Sequence, residues 1–189
     1  MQAARGTSLS DTDPTQPTTP SRPRTRLKLV FAVVALGVYV LDVVTKTIAV
    51  EKLSNGDVEV LGSWLILHLT RNPGAAFSTG TEFTVVLTLI AITAACVVLY
   101  LSRRIGSLGW AWALGLLLGG IVGNLTDRLL REPGPLRGHV VDLLMIPNWP
   151  VFNIADICLN VGAGLILLQA FRGIAIDGTR ASNRGRESA

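Results

Sequence analysis

The chain alternates long apolar runs with shorter polar joins. Four apolar runs cover residues 27–50, 83–101, 108–125 and 151–171. Each has roughly the 20 residues that a helix needs to cross the hydrocarbon core of a bilayer. The first run follows basic residues, as a cleavable signal peptide does, but it has no small-x-small cleavage site and continues into Asp42 and Lys46. The pattern therefore predicts four transmembrane helices, the first of which is retained.

The segments outside these runs divide into tails and joins. Residues 1–25 are rich in Thr, Ser, Pro and Asp, and we expect them, like residues 173–189, to be disordered cytoplasmic tails. In the join after the first run, residues 58–60 and 64–69 are β-prone and partly alternate. The expected fold is an all-α membrane protein. It has one four-helix domain over residues 26–172 and a small β-strand cradle or half-barrel on the membrane surface.

Charge refines this picture. Hydrophobic residues make up 49% of the chain, and the net charge of +4 comes from basic residues at the ends of the apolar runs. Because no basic face of a folded domain is indicated, we expect membrane lipids as partners and no nucleic acid. The basic flanks of the first and last runs, and the basic join at residues 102–107, predict cytoplasmic termini. The joins at residues 51–82 and 127–150 are then extracytoplasmic.

Polar residues in the predicted spans collect at one depth, near the extracytoplasmic ends. Polar groups in a membrane span are costly, and such a cluster indicates a functional site. Their spacing of three or four residues puts each set on one helix face. The sets are Asp42 and Lys46 in the first helix, Asn124, Asp127 and Arg128 in the third, and Asn153, Asp156 and Asn160 in the fourth.

Four carboxylates belong to this layer, and they differ in their neighbours. Asp42 has Lys46 close by in sequence, and Asp127 has Arg128, so each is expected to form a local ion pair. Asp142, inside an apolar stretch of the last external join, and Asp156 have no such neighbour. Two facing carboxylates that share a proton can activate water and protonate a carbonyl oxygen. We therefore predict an aspartyl peptidase pair that needs no cofactor and no metal.

Five short blocks, in chain order, resemble the motifs of the bacterial lipoprotein signal peptidases, also called signal peptidase II. The resemblance covers residues 27–171, and all five blocks together are far more specific than any one. The blocks are residues 42–46 (DVVTK), 72–78 (NPGAAFS), 123–128 (GNLTDR), 140–142 (VVD) and 152–156 (FNIAD). The join at residues 129–138 is longer than is usual in the family, which bears on the shape of the substrate loops.

The resemblance implies a four-helix aspartyl endopeptidase of the bacterial cell membrane, active near the extracytoplasmic face. It implies cleavage of lipid-modified prolipoproteins before the diacylglyceryl-modified cysteine, by a monomer. The family's catalytic pair matches Asp142 and Asp156. The other matching motif positions are expected to support the site or bind substrate: Asp42, Lys46, Asn72, Gly74, Asn124, Asp127, Arg128 and Asn153.

Other interpretations stay open for individual residues and for the whole chain. Asp42 and Lys46 suit a structural ion pair better than a chemical role, and His68 and His139 suit surface histidines better than zinc ligands. A small transporter or proton channel would also carry polar residues in its spans. A non-catalytic assembly or lipid-binding protein is a third class. A presenilin-type protease is disfavoured because its Tyr-Asp and Gly-x-Gly-Asp signatures are missing.

Overall fold

A computed structural model describes residues 24–74 and 83–180 of the chain. Predictions for residues 1–23, 75–82 and 181–189, including the end of the motif at residues 72–78, lie outside the described residues. Four α-helices are long and apolar enough to cross a membrane. They are α1 (Arg24–Lys52), α2 (Thr84–Ser102), α3 (Leu108–Leu130) and α4 (Ile154–Phe171). The predicted four-helix membrane fold is confirmed.

Helix α3 packs against the other three helices. Its glycines make this close approach possible, because small residues let helix backbones come near each other in a bilayer. A Cβ atom on Gly119 would lie 2.7 Å from the Ala35 carbonyl oxygen of α1, and one on Gly120 would lie 2.8 Å from the Ala155 carbonyl oxygen of α4. Larger side chains here would push α1 and α4 away from α3.

Three antiparallel strands form a small sheet at one end of the bundle, which we call the sheet end. The strands are β1 (Val58–Glu59), β2 (Ile66–Asn72) and β3 (Val140–Met145), in the order β1-β2-β3. The predicted strands from the first join are present, although β1 and β2 are shorter and later than the β-prone segments. Strand β3, from the second join, had been expected only as an apolar stretch.

The register of β2 and β3 brings the two joins together. Thr70 pairs with Asp142 and Asn72 with Val140, and an irregularity between Leu67 and Thr70 shifts the register. A β-bulge of this kind re-aims side chains beside functional sites. As a result, Asn72 and Asp142 are diagonal neighbours on one face of the sheet.

A tight return links β3 to α4. Leu144 pairs with Phe152, and the backbone amides of Leu143 and Leu144 both donate to the Phe152 carbonyl oxygen. Because Phe152 belongs to this pairing, α4 begins only at Ile154, three residues after the predicted start. The return holds β3 against the first turn of the last helix.

The opposite end of the bundle comprises the join at residues 103–107 and residues 172–180. Here Leu27, Phe31, Ile105 and Leu114 belong to a buried apolar cluster, against which Ile174 packs. Residues 173–180 form a hydrogen-bonded turn, in which the Ala175 amide donates to the Thr179 carbonyl oxygen. The expectation of a disordered tail from residue 173 is therefore wrong for these eight residues, because apolar side chains in this segment bury themselves on the bundle.

Candidate active site

Two buried or partly buried carboxyl groups come together where β3 meets α4. Asp142 lies in the middle of β3 and is 2% exposed. Asp156 lies in the first turn of α4, at the third helical residue. The return through Phe152 brings this turn beside the strand. Both carboxyl groups line one cavity.

Asn153 connects the two carboxyl groups. Its Nδ2 donates to Asp142 Oδ1 at 2.7 Å, and its backbone amide donates to Asp156 Oδ2 at 3.2 Å. In return, the Asp156 amide donates to Asn153 Oδ1 at 2.9 Å, which completes a capping box at the start of α4. The residue that starts the helix therefore also fixes the relative position of the two acids.

Two further asparagines occupy the remaining carboxyl oxygens. Asn72 Nδ2, from β2, donates to Asp142 Oδ2 at 3.0 Å. Asn124 Nδ2, from α3, donates to Asp156 Oδ1 at 3.0 Å. Each carboxyl group thus accepts one hydrogen bond on each oxygen, from groups that carry no charge. Such contacts orient a carboxyl group without locking it into an ion pair.

The protonation of Asp142 is set by its surroundings. Burial raises the pKa of its carboxyl group from the ordinary value of 3.8 to about 6, and the negative charge of Asp156 acts in the same direction. The hydrogen bonds from Asn72 and Asn153 oppose this rise. Asp142 therefore retains a proton at a pH where an exposed aspartate would have lost it.

Behind Asn124 lies a fully buried ion network centred on Lys46. Its Nζ lies 2.8 Å from Asp42 Oδ2 and 3.0 Å from Asp127 Oδ2, and it donates to Asn124 Oδ1 at 2.7 Å. Asp42 Oδ1 also accepts a hydrogen bond from the Ala155 amide of α4 at 2.9 Å. One ammonium group thereby joins α1 to α3, and Asp42 extends the link to α4.

The expected ion pair between Asp127 and Arg128 is not formed. Adjacent residues on a helix point in directions about 100° apart, so their side chains do not meet. Asp127 pairs with Lys46 and with Arg131, which stands four residues on, while its Oδ2 also accepts from the Val141 amide at 3.1 Å. Arg131 was not predicted as part of the site, although its i, i+4 spacing from Asp127 was a readable signal.

Arg128 instead holds the β2 end of the external segment. Its Nη2 donates to the Gly74 carbonyl oxygen at 2.6 Å, and its Nη1 donates to that of Pro73 at 3.4 Å. The Gly74 amide donates to Asn72 Oδ1 at 3.0 Å. Arg128 therefore supports the chain segment that carries Asn72 towards Asp142. All ten residues predicted for the site lie in this connected set.

The cavity at the two acids has a volume of about 680 Å³ and two kinds of wall. Its polar wall includes the acids and the asparagines that hold them. Its apolar wall combines residues just before α4 with the exposed face of that helix: Trp149, Pro150, Val151, Phe152, Ile157, Leu159 and Val161. Because α4 is a membrane-spanning helix, this wall offers an apolar surface that continues towards the lipid. The arrangement can take a long apolar ligand with one reacting polar bond.

Metal binding finds no support in the described part of the chain. Within residues 24–74 and 83–180, no group of three or more His, Cys, Asp and Glu side chains has a geometry that could hold an ion. His68 Nδ1 instead lies 2.8 Å from Asp57 Oδ1 on the exposed sheet. The chemistry available at the site is therefore that of carboxyl groups, amides and water.

Comparison with known proteins gives consistent matches. A family model described as signal peptidase (SPase) II matches residues 34–172. The lipoprotein signal peptidase of Leifsonia xyli is 48% identical over 159 residues, which are 83% of this chain and 74% of that protein. The protein of the same name from Mycobacterium tuberculosis is 46% identical over 163 residues, covering 86% of this chain and 80% of that one.

Solved structures give the same picture. One structure of a bacterial membrane enzyme superposes with a TM-score of 0.70 at 26% identity, covering 84% of this chain and 93% of that chain. A second structure of a bacterial membrane enzyme has a TM-score of 0.66 at 28% identity, covering 75% of this chain and 92% of that one. The fold around the two acids is thus one that membrane enzymes use.

Proposed function

Because the chain belongs to the signal peptidase II family, we propose that it removes signal peptides from bacterial prolipoproteins with Asp142 and Asp156 as its catalytic pair. Membership makes it a peptidase of the membrane. The finer proposal is that it is an aspartyl endopeptidase that cleaves before the diacylglyceryl-modified cysteine. The motif residues at positions 142 and 156 match the family's pair.

The observation that supports this proposal most is the shared contact with Asn153. A single asparagine donates to Asp142 and to Asp156, so the two carboxyl groups are held as a pair on one cavity wall. The raised pKa of Asp142, about 6, fits a pair that holds one proton between two acids. An aspartyl peptidase needs this state, because one member must accept a proton while the other donates one.

The proposed reaction uses one water molecule between the acids. Asp156 takes a proton from the water as its oxygen bonds to the scissile carbonyl carbon, and Asp142 gives its proton to the carbonyl oxygen. The resulting gem-diol collapses when the carbon–nitrogen bond breaks. Asp156 returns its proton to the leaving nitrogen, and a diol hydroxyl returns one to Asp142. The pair ends in its starting state, with the peptide bond hydrolysed.

The cavity suits a lipid-modified substrate. The apolar wall along Ile157 and Val161 of α4 is open to the membrane, so a signal peptide and acyl chains can enter sideways without crossing a polar surface. The polar wall stands where the scissile bond must lie. We propose that the sheet forms the cradle for the peptide, since β2 and β3 supply Asn72 and Asp142.

The orientation in the membrane follows from the basic residues. Lys28, Arg103, Arg104 and Arg172 all lie at the opposite end of the bundle from the sheet. Under the positive-inside rule, that end faces the cytoplasm and the two acids lie near the extracytoplasmic face. We propose a monomer, because both acids and all their hydrogen-bond partners come from one chain.

The decisive experiment replaces each acid alone. We expect Asp142→Asn and Asp156→Asn each to abolish cleavage of a diacylglyceryl-modified precursor by the purified protein, with expression and helix content retained. Asp57→Asn, on the exposed part of the sheet, is the matched control and keeps full activity. An unmodified precursor tests the lipid requirement. Cleavage retained in either acid variant would refute the pair as proposed.

A further inference from the structure

Lys46 is buried where no substrate can reach it. The residue is fully buried, and its ammonium group has three partners, which are Asp42, Asp127 and Asn124. An ammonium group has three protons to donate and cannot accept a hydrogen bond. All its donors therefore have acceptors within the protein. Any effect of Lys46 on catalysis must pass through one of these neighbours.

Asn124 is the neighbour that reaches the catalytic pair. Its side-chain amide has an oxygen that only accepts and a nitrogen that only donates. Because Lys46 can only donate, the amide oxygen must face it, at 2.7 Å. The nitrogen is then directed at Asp156 Oδ1, at 3.0 Å. The reverse orientation would set two donors against each other at Lys46 and two acceptors against each other at Asp156.

We propose that Lys46 is a positioning residue of the peptidase, whose ammonium group holds the Asn124 amide in the one orientation that donates to Asp156. This inference rests on the proposed function and adds a part to it. Asn153 strengthens the arrangement, because its Nδ2 also points at Asn124 Oδ1, at 3.2 Å. Two donors thus hold the oxygen, which leaves the nitrogen for the acid.

The surrounding charges explain why a lysine can hold this place. From α1, Asp42 faces the ammonium group, and from α3, Asp127 does. Arg131 balances the second carboxylate. A buried cation without such partners would be strongly unfavourable, and buried carboxylates without a cation equally so. The lysine is therefore retained in a closed network that presents a single neutral hydrogen-bond donor, the Asn124 amide, to the catalytic pair.

A double-mutant cycle tests this path. Lys46→Met and Asn124→Leu are each expected to lower kcat by about 10- to 100-fold, as loss of a group that orients a reacting residue does. KM changes little for Lys46→Met, because Lys46 does not touch the substrate. The double variant should lose no more than the more severe single variant, since both changes break one path. Multiplying losses would overturn the inference, as would full kcat in Asn124→Leu.

Two controls keep the test sharp. Lys52→Met removes an exposed lysine of the same helix, whose Nζ lies 3.8 Å from Glu51, and should leave kcat unchanged. If Lys46→Met does not fold, the pair Asp42→Asn with Lys46→Met deletes one charge of each sign and keeps the buried net charge. The cycle is then run on that background, with Asp42→Asn alone as its reference.

A spectroscopic measurement separates this inference from the proposed function. Asparagine-selective ¹⁵N labelling gives the side-chain amide signals, and Asn124→Leu identifies the signal of Asn124 by its loss. We expect that signal to move in Lys46→Met and to stay in place in Lys52→Met. An unmoved signal sinks the positioning role whatever the enzyme cleaves. Absence of prolipoprotein cleavage by the wild type, with the shift present, refutes the proposed function alone.

Discussion

The two ends of the helix bundle are built from the same helices but by different means. At the sheet end, α1, α3 and α4 contribute buried charged and polar side chains, among them Asp42, Lys46 and Asn124. At the opposite end, the same helices meet through apolar residues such as Phe31 and Leu114. Among the described residues of that end, Gln169 is the buried polar side chain.

This difference separates catalysis from stability along one axis. Buried polar groups cost free energy unless they are matched, so a membrane protein confines them to where chemistry needs them. A transporter would need polar groups along the whole crossing. In the described part of the chain, the opposite end is filled by packed side chains instead, which favours chemistry at one face over a path through both.

Gly123→Ala is expected to break the comparison most severely, because it disturbs the network through packing alone. A Cβ at this position would lie 2.5 Å from Asp42 Oδ2. Displacing this carboxylate shifts Lys46, and a misplacement of about 1 Å can cost about 100-fold in rate. We expect kcat to fall by that order with all acids intact. Gly37→Ala, at an open position in α1, is the control, and equal loss in both would contradict the explanation.

Stability should depend on pH through Asp142. Its pKa is raised from 3.8 to about 6, so the folded protein binds this proton more tightly than the unfolded chain. The resulting stabilisation is fully present below 3.8 and is lost as pH rises through about 6, by about 3 kcal/mol at most. Thermal unfolding in detergent should show this fall in the wild type and a flatter profile in Asp142→Asn. Parallel profiles would disprove the linkage.

Leu114→Ala should sharpen the comparison from the opposite end. Leu114 is 1% exposed within the apolar cluster. Truncating it leaves a cavity that costs about 2 kcal/mol or more in the free energy of unfolding. We expect Tm to fall while kcat at a temperature below unfolding stays at the wild-type value. A drop in kcat without loss of Tm would mean that the two ends are coupled.

Trp110→Phe is the smallest of these changes. Trp110 Nε1 donates to the Ile174 carbonyl oxygen at 2.9 Å and so fastens residues 173–180 to α3. Loss of this bond should cost about 1 kcal/mol, because the carbonyl group loses a buried partner. Limited proteolysis should then cut the C-terminal turn faster, with unchanged cleavage of precursor. Trp112→Phe, on the exposed face of the same helix, serves as the control.

The sequence was sufficient for the helices and for the residues of the site. Apolar runs of spanning length identify helices without any long-range information, and the i, i+4 pair of Asp42 and Lys46 was readable for the same reason. The convergence of polar residues at one depth correctly grouped side chains from α1, α3 and α4. These signals are local, or they follow from the fixed rise of a helix through a membrane.

The errors concern contacts that local patterns do not encode. Strand β3 was not foreseen, because an apolar run interrupted by Asp142 does not alternate, and its pairing with β2 is non-local. Arg128 was assigned to Asp127 by adjacency, although helix geometry directs it towards Gly74. The turn at residues 173–180 resembled a tail because two isoleucines alone do not show a helical or strand period.

Asn153 has a consequence for how such a protein can change. Its side chain starts the last helix and spaces the two acids with the same few atoms. Laboratory evolution towards heat tolerance therefore has no freedom at this position, since any replacement that improved the helix start would disarm hydrolysis. Adaptive substitutions should accumulate at the far side of the bundle, where robustness can increase without any loss of turnover.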